Sequence, residues 1–147
     1  MAFTKQWTFN GFAFNTVNLY FNDNQKSRLV CAIFLSIAIL ILSTLKKNLI
    51  DKIYYAILLL LLFSPIVHPW YAGWLAAVIS VARKWSGIIY ISTLSLTSFT
   101  YISYQLHGQW KEEPLQWLAI YLPVVIVLVI ELTDATKKFK TRTFASS

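Results

Sequence analysis

Charge is what this sequence has least of. Only 13% of its 147 residues are charged, about half the share usual in water-soluble domains. Cysteine occurs once, as Cys31 inside an apolar run, so no internal disulfide can form and a disulfide-stapled secreted module is excluded. Glycine and proline occur only 4 times each, which argues against a disordered or low-complexity chain. Also missing are a Gly-rich phosphate loop, a Ser-His-Asp set, a CxxC pair and any internal repeat. What is there is apolar: 57% hydrophobic and 16% aromatic residues. They fall in nearly uncharged runs close to the roughly 20 residues that cross a bilayer, which excludes a soluble enzyme.

Five such runs stand out, Leu29–Leu45, Ile53–Val67, Trp70–Ala82, Gly87–Tyr104 and Leu115–Leu132. The expected fold is an all-α bundle of five transmembrane helices. The third run is the shortest and invites a re-entrant reading, so charge placement must decide. With five crossings, Lys46, Lys47, Lys52, Arg83, Lys84, Lys137, Lys138, Lys140 and Arg142 share one side, nine of the thirteen basic residues. Lys5, Lys26, Arg28 and Lys111 lie on the other. Excess Lys and Arg mark the cytoplasmic side, so the amino terminus is expected outside and the carboxyl terminus in the cytoplasm of a multi-pass plasma-membrane protein. The net charge of +7 then reads as a topology signal and an attraction to anionic lipids. No nucleic-acid partner is expected.

Three regions follow: an outer interfacial segment over 1–28, the bundle over 29–132 and a basic tail over 133–147. In the first, Phe14, Val17 and Phe21 fall at helical spacing beside Asn15, Asn18 and Asn22, after an Asn10-Gly11 turn. This is the pattern of an amphipathic helix lying along a membrane. Trp7 and Asn10 either anchor the interface or face a cleft. The segment has no basic region followed by an apolar one, so it carries no signal peptide. An outward start of this kind suggests that more spans precede it in a larger protein.

Chemistry concentrates between the second and third runs, at Ser64-Pro65-Ile66-Val67-His68-Pro69-Trp70-Tyr71. Two prolines four apart break the helix, leaving a rigid outer connection. An imidazole there can meet a phosphate oxygen, and Trp70 and Tyr71 can stack on a sugar face or anchor the interface. The fourth run carries seven hydroxyls, Ser92, Thr93, Ser95, Thr97, Ser98, Thr100 and Ser103, which mark close helix packing or a polar cavity. The loop Gln105–Pro114 holds His107, Glu112 and Glu113. The two acids suit the first turn of the last helix, and a general base is the alternative. His68 and His107 with one of these acids form no recognised metal pattern, and no metal or cofactor is expected. Pro123 implies a kink in the last span, and Glu131 sits at its cytoplasmic end, where solvent can reach it.

The run Leu62–Tyr71, with Trp74-Leu75 after it, resembles the His-Pro-Trp-Tyr signature near the end of certain membrane glycosyltransferases. These are the polyprenol-phosphate-mannose-dependent, family-87-like mannosyltransferases of the glycosyltransferase-C superfamily. Trp7-Thr8-Phe9-Asn10-Gly11-Phe12 is similar to the outer segment before that family's final spans. Trp110 to Glu113 and Leu118 to Pro123 are similar to its closing loop and last helix. The resemblance covers about Trp7 to Leu132, and only the His-Pro-Trp-Tyr element is specific. It implies transfer of a hexose, usually mannose, from a polyprenyl-phosphate carrier to an outer acceptor. His68 would then lie near the donor phosphate, with Trp70 and Tyr71 shaping the pocket. The family's base is a carboxylate in an early outer loop that has no counterpart here. The chain alone is therefore expected to be inactive, needing an amino-terminal catalytic half or a partner subunit. The other class that fits is a small non-catalytic subunit of a membrane complex.

Overall fold

The computed structural model describes residues 8–108 and 114–144, with side chains omitted at 114 and 134–144. Helix α1, Phe12–Phe21, stops at Asn22, whose left-handed backbone (φ 48°) returns its N–H to Asn18. Asp23 then opens α2, Asn24–Thr44, by accepting from the Gln25 and Lys26 amides. These contacts hold its carboxyl below the usual carboxylate range: the Lys26 amide contributes most, against some desolvation, with the Gln25 amide and the Lys26 charge adding to it. Helix α3, Leu49–Phe63, starts on the Asn48 side chain, which accepts from the Asp51 amide at 2.7 Å. It ends where Pro65 forces Ser64 out of helical conformation. A 3-10 turn, Pro69–Tyr71, leads into α4, Ala72–Ala82, which is closed by Arg83 in the left-handed region (φ 51°). Then follow α5, Trp85–Leu94, a 3-10 turn at Ser95–Thr97, and α6, Ser98–His107. The last helix is α7, Pro114–Phe144.

The expected all-helical class holds: among the described residues the only β-type pairing is one isolated bridge. Neighbours in sequence pack in turn from α1 to α5, and α5 lies along α7. Tyr54 and Leu58 of α3, Leu75 of α4, Tyr90 and Leu94 of α5, and Tyr121 and Val124 of α7 form the buried core. The outward faces are the reverse of a soluble protein's. Leu29, Ile33, Phe34, Leu40 and Ile41 of α2 are exposed, as are Leu115, Leu122 and Ile126 of α7.

Two helices, Asn24–Thr44 and Leu115–Thr133, are long and apolar enough to cross a membrane, each with a mean hydropathy of 2.2. Their windows are only 17% buried, whereas the core helix of a soluble domain is mostly covered. The other three expected spans fall short of that length as continuous helices. The second begins at Leu49 and ends at Phe63, so residues 64–67 lie in a loop. The third is a 3-10 turn plus a helix of 11 residues. The fourth runs from Trp85 to His107 but is divided at Ser95–Thr97. There the Ser95 and Thr97 hydroxyls donate to the Ser92 and Leu94 carbonyls three residues back. Such bonding back to the chain draws a helix tighter and bends it. Helix α7 continues through the segment expected as a tail, because no glycine or proline between 124 and 144 stops it.

Of the seven hydroxyls of the fourth run, Thr93, Thr97 and Thr100 serve packing, whereas Ser92, Ser95 and Ser98 are exposed. Thr97 and Thr100 are buried, and Thr100 donates to Gln116 of α7 at 3.0 Å. Thr93 donates to the Ile120 carbonyl of α7 at 2.9 Å, one turn before Pro123. Proline has no N–H for the helix ladder, and this cross-helix bond supports the backbone at the turn it weakens.

Candidate functional site

The His68 loop is held from behind by the segment before α1. Phe9 donates its amide to the Pro65 carbonyl at 3.0 Å, and Val67 donates to the Phe9 carbonyl at 2.8 Å, a parallel bridge between Phe9 and Ile66. Ser64 braces the turn from within, its hydroxyl donating to the Ile66 carbonyl at 2.7 Å. The approach depends on Gly11, where an added Cβ would lie 2.7 Å from the Ser64 carbonyl oxygen and 3.1 Å from the Pro65 Cα. Both are backbone atoms that cannot swing aside.

On this base His68 takes extended backbone, as a residue before proline must, and its carbonyl accepts the Tyr71 amide at 3.0 Å. Its ring stacks on Trp70, with centroids 4.1 Å apart and planes within 10°. Phe9 lies 5.1 Å away, and Tyr71 meets the imidazole edge-on at 5.8 Å. Tyr71 in turn stacks on Trp74 at 4.9 Å. Burial among these rings pushes the His68 pKa below its ordinary 6.5. The imidazole is therefore neutral at physiological pH, with one nitrogen donating and the other accepting. Trp70 remains 67% exposed and Tyr71 half-buried. A neutral donor beside open ring faces can hydrogen-bond an oxyanion and stack on a flat or sugar-like surface.

The structure thus brings His68, Trp70 and Tyr71 into one cluster. Asn10 is adjacent but buried in left-handed conformation (φ 56°), where its carbonyl accepts the Tyr121 hydroxyl of α7. Its main chain ties the segment down. His107 ends α6, exposed, with Nδ1 3.2 Å from the Ser103 carbonyl. Trp7, Glu112 and Glu113 lie outside the described residues. Phe9 and Trp74 join the cluster without having been singled out as site residues. The Asn10-Gly11 turn was a signal for the Phe9 contact, since it folds the chain back at that point.

At the far end of α3 a second polar cluster forms. Glu131, expected to be solvated, is half-buried and accepts three bonds: from the Trp85 amide at 2.5 Å, the Ser86 amide at 3.1 Å and the Ser86 hydroxyl at 2.6 Å. It caps α5 from another helix. The Tyr54 hydroxyl lies 2.7 Å from the Ser86 hydroxyl, whose proton goes to Glu131, so Tyr54 is the donor between them. Beside it Lys84 pairs with Asp51 at 3.2 Å and lies over the Tyr55 ring. Burial works against the Lys84 charge, but Tyr55, Asp51 and Glu131 outweigh it and hold its pKa above the usual lysine value. Every group in this cluster has an internal partner, which marks it as structural.

Among the described residues, no three His, Cys, Asp or Glu side chains gather as a metal site. Two cavities lie elsewhere, one of about 320 Å³ between Phe99 and Leu115 and one of about 180 Å³ between α2 and α3. Neither is lined by His68, Trp70 or Tyr71. No protein-family model, curated protein or solved structure matches the chain.

Proposed function

We propose that this chain is the five-span membrane bundle of a lipid-linked glycosyltransferase, forming its carboxyl-terminal portion. In this reading a hexose, mannose by the resemblance above, passes from a polyprenyl-phosphate carrier to an acceptor on the outer face of the plasma membrane. The observation that carries it is the stack of His68 on Trp70, with Tyr71 edge-on, in a loop fixed between two prolines. Neutral His68 donates a hydrogen bond to the departing phosphate, stabilising charge where it develops. Trp70 and Tyr71 offer their faces to the sugar. The attacking hydroxyl needs a base, and Glu131 cannot be it, since in this reading it lies at the cytoplasmic end, where it caps α5. A carboxylate from an amino-terminal half or a partner supplies it, so the chain alone does not catalyse transfer. The excess of basic residues at the α2–α3 and α4–α5 turns supports an amino terminus outside and a carboxyl terminus in the cytoplasm.

The test is sugar transfer from a labelled polyprenyl-phosphate donor in membranes holding the complete enzyme. His68→Ala should lower the rate at least about tenfold, roughly the loss of one charge-stabilising hydrogen bond, with insertion unchanged. Wild-type activity in that variant removes the site. A thiol introduced as Trp70→Cys should react with an impermeant reagent from outside the cell, and labelling only from inside overturns the orientation.

One observation favours the second reading, a non-catalytic subunit. Helix α6 carries Phe99, Ile102 and Leu106 exposed at i, i+3 and i+7, a ready face for another helix. If this reading holds, Phe99→Ser should release the chain from its complex while His68→Ala leaves the activity of that complex untouched.

A further inference from the structure

The cavity between α2 and α3 is lined by none of His68, Trp70 and Tyr71, the residues that the sugar-transfer reading uses. Arg28, Cys31 and Leu35 follow one another down one side of α2, and Leu60, Phe63 and Pro65 face them from the end of α3. Together they enclose about 180 Å³. Below Arg28 the wall is hydrocarbon apart from the Cys31 thiol and Ser64, and the Ser64 hydroxyl is turned to the Ile66 carbonyl.

At the head of this slot the guanidinium is held in a set plane. Its Nε donates to the Asn24 side-chain oxygen at 2.8 Å, and its central carbon lies 5.7 Å from the Phe14 ring centroid. Arg28 stands in the second turn of a membrane-length helix, about 6 Å along the axis from the helix start, which is headgroup depth. Leu29 and Ala32 beside it are exposed, so the slot opens toward the bilayer. A planar fork matches phosphate oxygens in pairs, as an ammonium does not. A fixed guanidinium above an apolar slot therefore complements a molecule with a phosphate at one end and an alkyl chain at the other.

We propose that this slot binds one phospholipid, its phosphate on Arg28 and one acyl chain lying along Cys31, Leu35 and Leu60. The inference is independent of the sugar-transfer reading, since it requires only that α2 lie in a bilayer.

Cys31 is the only cysteine and lines the slot while only 3% exposed, so a small reagent reaches it through the slot and its alkylation reports occupancy. The full chain in an alkyl-maltoside micelle is treated with N-ethylmaleimide, with and without added phosphatidylglycerol. At lipid about ten times its dissociation constant, the Cys31 reaction should slow about tenfold, while inorganic phosphate leaves it unchanged. Arg28→Gln should abolish the protection, and Lys26→Gln, at a cation 70% exposed, should keep it. Unprotected wild-type protein, equal protection by inorganic phosphate, or protection that survives Arg28→Gln each overturns the proposal. Native mass spectrometry gives a second reading that does not depend on the arginine variant. One phosphatidylglycerol should stay with the wild-type chain and be lost in Leu60→Trp, which fills the slot, and a retained lipid there overturns the proposal too.

Discussion

Helices α3 and α7 are each tied at two places, and the two ties differ in kind. Near Glu131, α3, α5 and α7 are joined by charge-assisted hydrogen bonds among Tyr54, Ser86 and the carboxylate, with the Lys84–Asp51 pair alongside. Near His68, the joining is done by backbone and hydrocarbon: the Phe9–Ile66 bridge, the Asn10 carbonyl on Tyr121, and stacked rings. The first tie consumes its polar groups internally and leaves nothing for a ligand. The second sets a half-buried imidazole against Trp70, a ring 67% exposed. Polar residues in an apolar bundle are thus a poor guide to function until their partners are known, because a satisfied carboxylate is a fastener.

The contrast can be tested by stability and binding together. The largest loss should come from Glu131→Ala, which strands two helix-terminal amides and the Ser86 hydroxyl; a cost of about 3 kcal/mol is expected, read by thermal unfolding in detergent. If that variant melts with the wild type, the first tie is not a fastener. Next is Gly11→Ala, whose added carbon meets two backbone atoms of the His68 loop. About 2 kcal/mol is the usual cost of such overpacking, and carrier binding should fall with it because the loop shifts. Trp70→Ala should reverse the pattern, changing stability by no more than about 0.5 kcal/mol at so exposed a position while weakening binding of a polyprenyl phosphate. A large melting shift in this variant would make Trp70 a structural residue.

The smallest effect is with pH. Folding lowers the His68 pKa below 6.5, so as pH falls through that value the unfolded chain takes up a proton that the folded chain does not. Stability should therefore decline on acidification below about 6.5 and be fully present above it. Unfolding midpoints measured across this range should show a shallower slope in His68→Gln, and an unchanged slope would assign the titration to another group.

Several of these features were legible in the residues. The break between Ser64 and Tyr71 is readable from its two prolines, whereas the Asp23 cap that starts α2 at Asn24 comes five residues before the expected run. The His68–Tyr71 cluster was also legible, because residues so close in sequence and held by two prolines have little choice but to meet. Glu131 was misjudged as solvated, since its partners lie 45 and 46 residues away and nothing local hints at them. The division of the fourth run was equally hidden. Its hydroxyls mark close packing or a polar cavity, but which of them bond back along the chain depends on which face the neighbours cover.

By itself, then, the order of residues determined the helical class, the two membrane-length apolar helices and the break at His68, because each follows from interactions within a few residues along the chain. Tertiary structure alone decided that Phe9 backs the imidazole, that Glu131 closes α5 and that Arg28 heads an apolar slot. Each of those depends on groups far apart in sequence meeting across helices, and the free energy of such contacts is realised only once the helices have packed.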